Sequence, residues 1–151
     1  MNDTTQTTQP HAPAESRAWW LLVVAWIVAL TATLGALFIG EVMGQAPCNL
    51  CWYQRIFMFP LAAILFVACL KQDTGVWRYA FPLVVGGLGF ALFHSLHYVG
   101  LVSGPIVQCG AGPSCSGSGM SLFGWLPLPF LSLIAFAAVG GLLFFARRRS
   151  S

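Results

Sequence analysis

The sequence predicts an all-α integral membrane protein, an antiparallel bundle of four transmembrane helices carrying two outward cysteine pairs. Three observations support this class. Residues of the AVILMFWYC set make up 58% of the 151 positions and charged residues only 7%, against about 25% charged in an ordinary soluble domain. The apolar residues gather into four long runs, each read as a membrane crossing. The few cations cluster at alternate ends of those runs, which is the signature of a fixed membrane orientation. A net charge of +3 is too small to point to a nucleic-acid partner, which would need a concentrated basic face.

Residues 1–16 are polar, rich in Thr, Gln and Pro, and lack a periodic apolar pattern, so they are expected to form a disordered cytoplasmic tail. A four-helix transmembrane domain then fills residues 17–149. Its first helix covers about 18–40, an uninterrupted apolar run after Arg17 that spans a hydrocarbon core about 30 Å thick. Its length favours a retained anchor over a cleaved leader. Trp19, Trp20 and Trp26 set aromatic rings near its first boundary.

After a short connection the second helix covers about 50–70. Its strictly apolar part begins only at Ile56, so Trp52 to Arg55 must lie in the interface or inside the bundle. Pro60 is expected to bend this helix. A polar turn leads to the third helix, about 79–101, where Gly86, Gly87 and Gly89 would let a neighbour approach closely. Residues 102–121, dominated by Gly, Ser and Pro, form the long outward loop. The fourth helix covers about 122–146, with Pro127 and Pro129 near its start and Arg147, Arg148 and Arg149 closing it.

Four crossings put both termini on one side. With the termini cytoplasmic, the inside holds Arg17, Lys71, Arg78, Arg147, Arg148 and Arg149 while the outside holds Arg55 alone. Six cations against one fixes that orientation under the positive-inside rule. The cysteine pairs then face the compartment where disulfides persist, and Cys69 falls at the reducing cytoplasmic end of helix two. Cys69 reads as an apolar filler.

The chemistry centres on Cys48-Asn49-Leu50-Cys51-Trp52-Tyr53-Gln54-Arg55. Two thiols at this spacing can close a small disulfide, and at a helix start the helix end favours a thiolate. Arg55 follows Cys51 by four residues, so on a continuous helix its permanent charge shares that cysteine's face. Cys109 and Cys115 flank Gly-Ala-Gly-Pro-Ser, a ring so short that little stabilisation is lost when it opens. A static disulfide, or half of a zinc site, would use the same residue types. The five residues between Cys109 and Cys115 exceed the usual metal knuckle of about two to four. No histidine follows Cys51, against c-type haem attachment.

His94 and His97 share a face near the outer end of helix three. They serve either as interhelical hydrogen bonders or as donors of a hydrogen bond or proton to a cofactor near Arg55. Glu41 reads as solvated. Trp52, Tyr53, Phe57 and Phe59 suffice for packing, and could equally line a slot for a flat apolar molecule.

The run CNLCWYQRIFMFPL, Cys48 to Leu61, with four crossings and a second outward cysteine pair, resembles the short-loop members of the bacterial disulfide bond formation protein B family, also called protein C in Gram-positive bacteria. The resemblance spans nearly the whole chain outside the tail. It implies a multi-pass protein of the bacterial cytoplasmic membrane that reoxidises an extracytoplasmic thioredoxin-like thiol oxidase and passes the electrons to a membrane quinone, ubiquinone or menaquinone. Cys109 would then form the mixed disulfide with the partner, Cys115 would exchange with Cys48, Cys51 would lie beside the quinone, and Arg55 would support both quinone and anionic sulfur. His94 and His97 have no secure counterpart in the motif. The second pair leaves no room between its cysteines for the lateral helix of longer-loop members. The competing readings are a quinone or epoxide reductase working in the opposite electron direction, and a structural or zinc-binding membrane protein.

Overall fold

The computed structural model describes residues 13–102, 121–122 and 126–150. Most of the expected tail and nearly all of the expected outward loop, with Cys109 and Cys115, lie outside the described residues.

Helix α1 runs Pro13–Leu37 and continues into a π-helical turn, Phe38–Val42. It therefore starts five residues before Ala18, at a proline whose fixed φ and missing N–H suit the first helical position. Helix α2 runs Asn49–Lys71, and a short 3₁₀ turn, Thr74–Val76, leads into α3, Trp77–Tyr98. A two-residue antiparallel ladder, β1 Ser121–Leu122 with β2 Leu126–Pro127, precedes α4, Leu128–Ser150. Each of the four helices is long and apolar enough to cross a bilayer, and the chain is a multi-pass, essentially all-α membrane protein. The assigned helices continue through Pro60 and Pro82.

Helix α1 packs on α2 and α4, and α3 packs on the same two helices, so the four close into a ring. Pairs of residues at the helix ends establish its antiparallel sense. Trp19 at the start of α1 donates its indole N–H to the Cys69 carbonyl at the end of α2, 3.1 Å away. Arg55 at the start of α2 reaches Ala36 at the end of α1. Arg147 at the end of α4 lies over Trp77 at the start of α3, 4.0 Å from the ring centroid.

Buried residues recur at helical spacing: Leu22, Ala25 and Ala29 on α1, Leu61, Leu65 and Ala68 on α2, Ala80, Val84 and Ala91 on α3, and Phe136, Val139 and Leu143 on α4. Small residues let the backbones approach. A Cβ on Gly87 would collide with the Phe136 ring, and one on Gly86 would meet Phe57, whereas Gly89 has open space. Thus two of the three glycines on α3 sit under aromatic rings.

The turns explain why the helices stop. Gln72 adopts the left-handed conformation at φ 54° while its N–H and that of Asp73 close the last turn of α2. The Asp73 carboxylate then accepts from the Gly75 N–H at 2.8 Å. After the π-helical turn, Gly44 at φ 67° reverses the chain towards Pro47 and Cys48. Gly100, at φ 82°, ends α3 just before the expected boundary. The helical part of α4 begins at Leu128, later than residue 122, because Pro127 provides no amide donor and the ladder takes the preceding residues.

Candidate active site

Cys48 is the N-cap of α2, and its sulfur accepts the Cys51 N–H at 3.4 Å. The two sulfurs lie 3.0 Å apart. Both cysteines thus meet the positive end of a helix, where unsatisfied amides favour anionic sulfur. Their burial differs: Cys48 is 2% exposed and Cys51 is half-buried. Leu50, Phe90, Phe93, Tyr98 and Leu128 enclose this end of the helix.

Behind Cys48 lies a polar chain that crosses from α2 to α3. His94 is fully buried, its Nε2 is 4.0 Å from the Cys48 sulfur, and its Nδ1 is 3.2 Å from the Gln54 amide nitrogen. His97, one turn further on, is half-buried, and its Nδ1 has no hydrogen-bond partner among the described residues. Sequence reasoning singled out the two histidines and missed Gln54, which joins one of them to α2.

Arg55 is half-buried and donates to the Ala36 carbonyl at 2.6 Å. Its guanidinium lies 5.5 Å from the centre of the Trp52 ring and against Gly40, where a Cβ would come within 2.9 Å of it. A cation suits the negative end of α1, and the glycine makes room for it. Arg55 therefore ties the start of α2 to the end of α1. Tyr53 and Phe57 stack on Phe90 at 4.9 and 5.6 Å, while Trp52 and Glu41 are exposed.

A largely apolar cavity of about 740 Å³ opens between α1, α2 and α4. Cys51, Gln54, Arg55, Gln45 and Phe59 are among its lining residues, and neither histidine is. Gln45 places a buried side-chain oxygen there with no hydrogen-bond partner among the described residues. The volume falls within the range of small-molecule sites, about 300–1,000 Å³.

Four apolar helices with a dithiol at the start of the second define a membrane thiol–disulfide oxidoreductase. Comparison with known proteins makes the assignment specific. The family model described as disulfide bond formation protein DsbB matches residues 16–146. A probable disulfide formation protein of Metapseudomonas resinovorans is 59% identical over 134 residues, covering 88% of this chain and 93% of its own. Another from Deinococcus radiodurans is 45% identical, covering 85% and 89%. Disulfide bond formation protein C of Bacillus subtilis is 41% identical, covering 78% and 86%. No solved structure matches the chain. The chain belongs to the disulfide bond formation protein DsbB family.

The Cys48 and Cys51 sulfurs and a His94 ring nitrogen all lie within 4.8 Å of one another. A soft metal could use such a trio, and so could thiol–disulfide exchange, which needs two sulfurs within reach of each other.

Proposed function

We propose that this protein is the quinone-coupled thiol oxidase of a bacterial cytoplasmic membrane, with both termini cytoplasmic and both cysteine pairs outside. It reoxidises an extracytoplasmic thioredoxin-like dithiol protein. The observation that carries the reading is Cys51: it shares a helix N-terminus with Cys48 and also lines the apolar cavity beside Arg55. The residues present fit a flat apolar molecule with a polar head, because Gln45 brings an unpartnered buried oxygen to an otherwise apolar wall. Cys51, Arg55, Gln54 and Gln45 would hold a quinone of the ubiquinone or menaquinone type, which supplies two-electron acceptance when bound.

The protein's own residues account for the rest. Cys109 and Cys115 receive electrons from the partner dithiol by exchange and hand them to Cys48. Each exchange needs access to one sulfur and a competent leaving thiolate. The α2 N-terminus stabilises that thiolate at either inner cysteine. Arg55 adds a positive charge one turn beyond Cys51, and its bond to Ala36 keeps the guanidinium at the cavity wall. The apolar lining excludes water from the sulfur that faces the cavity.

The test is quinone reduction by the purified protein with a reduced thioredoxin-like donor, compared with Cys48→Ser and Cys109→Ser. Turnover that requires both cysteines is the expected result. A folded, quinone-replete protein that turns over without Cys109 would refute the two-pair relay. Oxidation of the reduced protein by added quinone distinguishes this direction from a quinone or epoxide reductase.

A further inference from the structure

We infer that His94 is a catalytic residue acting on Cys48, as a neutral hydrogen-bond donor to its sulfur, and that Gln54 is the positioning residue that sets its tautomer. The inference rests on the redox reading of the inner pair and adds to it the group that makes a recessed thiolate affordable. A thiolate at a site 2% exposed loses its water and needs fixed donors instead. Two approach from different elements. The Cys51 N–H points at the Cys48 sulfur from α2 at 3.4 Å, and His94 Nε2 lies 4.0 Å away on α3.

The tautomer follows from the other side of the ring. The Gln54 amide nitrogen is 3.2 Å from Nδ1, and an amide NH₂ only donates, so Nδ1 accepts and the single ring proton of neutral imidazole sits on Nε2, facing Cys48. Among the described residues, the titratable or charged groups on the neighbouring ends of the helices are Glu41 after α1, Cys48, Cys51, Tyr53 and Arg55 on α2, and His97 and Tyr98 on α3. The Cys48 and Cys51 sulfurs lie within 4.8 Å of a His94 nitrogen, and Arg55 is engaged by the Ala36 carbonyl.

The exchange balances without any proton transfer to His94. When an S–S bond to Cys48 breaks, the electron pair stays on the departing Cys48 sulfur and the Nε2–H hydrogen-bonds to it. In the reverse step Cys48 thiolate supplies the pair for a new S–S bond, and the displaced sulfur leaves as thiolate. The role is distinct from contact with a bound quinone, because His94 does not line the cavity whereas Gln54 does.

The test titrates the Cys48 thiolate by its ultraviolet absorbance, as the difference between Cys51→Ser and Cys48→Ser/Cys51→Ser proteins, with neither donor nor quinone added. Removing the donor in His94→Leu should raise the titration midpoint by about one pH unit. His94→Gln, which restores an N–H near the Nε2 position, should recover part of it. Gln54→Glu should lower the midpoint, since a carboxylate only accepts, puts a proton on Nδ1 and lets Cys48 pass its own to Nε2 as a thiolate–imidazolium pair. Midpoints unchanged in folded His94→Leu and Gln54→Glu proteins would overturn the inference. If His94→Leu does not fold, an unchanged Gln54→Glu midpoint overturns it alone. Failure of the quinone reading would instead leave these midpoints shifted and abolish turnover in the unmodified protein.

Discussion

The two ends of the bundle handle polarity in opposite ways. At the cysteine end Cys48, Gln54 and His94 are buried, Arg55 is half-buried, and a cavity opens beside them. At the other end Lys71, Arg78, Arg147, Arg148 and Arg149 are exposed, and Arg147, Arg78 and Arg148 lie over the faces of Trp77 and Phe144. Exposed cations on aromatic rings contribute modestly, about 0.5–1 kcal/mol each, and suit an interface with water and headgroups. Buried polar groups carry a desolvation cost that persists unless every partner is in place. Their concentration at one end is what the proposed chemistry requires, while the exposed cations at the other suit a membrane interface.

Substitutions that separate activity from stability would test this contrast. The largest effect is expected for Cys51→Ser, which should reduce donor-linked quinone reduction to background while helix content by circular dichroism stays unchanged. Between the two ends, Gly87→Ala should destabilise by about 1–3 kcal/mol, because Phe136 is fully buried and its ring has little room to yield. Reversible unfolding in mixed micelles would measure this, and adding Phe136→Leu should recover part of the loss. Arg55→Met should keep the fold and cut quinone reduction about tenfold, equivalent to about 1.4 kcal/mol of barrier; unchanged rates across a full quinone titration would refute its assigned role. Trp19→Phe removes the bond to the Cys69 carbonyl and should cost about 1 kcal/mol of stability with turnover unaltered. Arg147→Gln is expected to cost least, about 0.5 kcal/mol, again without effect on turnover. Loss of activity from either of the last two would dissolve the contrast.

Much of this was legible in the chain because each signal was local. Long apolar runs identify the crossings, and a Cys-x-x-Cys entering one of them, with Arg55 four residues on, singles out the helix end where the structure brings the two sulfurs together beside a cavity. What escaped depends on residues distant in sequence. Gln54 meets His94 across 40 positions, and no helical spacing relates them. The cavity likewise combines residues of α1, α2 and α4, so its existence follows from packing and not from any run of aromatics. Of the four aromatics considered for a slot, Phe59 lines the cavity, while Tyr53 and Phe57 stack on Phe90. The early start of α1 and late start of α4 both involve proline, whose ring favours one helix entry and disrupts the pattern before another.

The recess that holds Cys48 also has a kinetic consequence. Thiol exchange proceeds by in-line approach to a particular sulfur, and a cysteine only 2% exposed offers little approach to thiols dissolved outside. Were it open, any small reductant passing the surface could reach it, and the proposed relay would be short-circuited. Packing by Leu50, Phe90, Phe93 and Leu128 shields this position, so under the proposed relay access would select the exchange partner of Cys48.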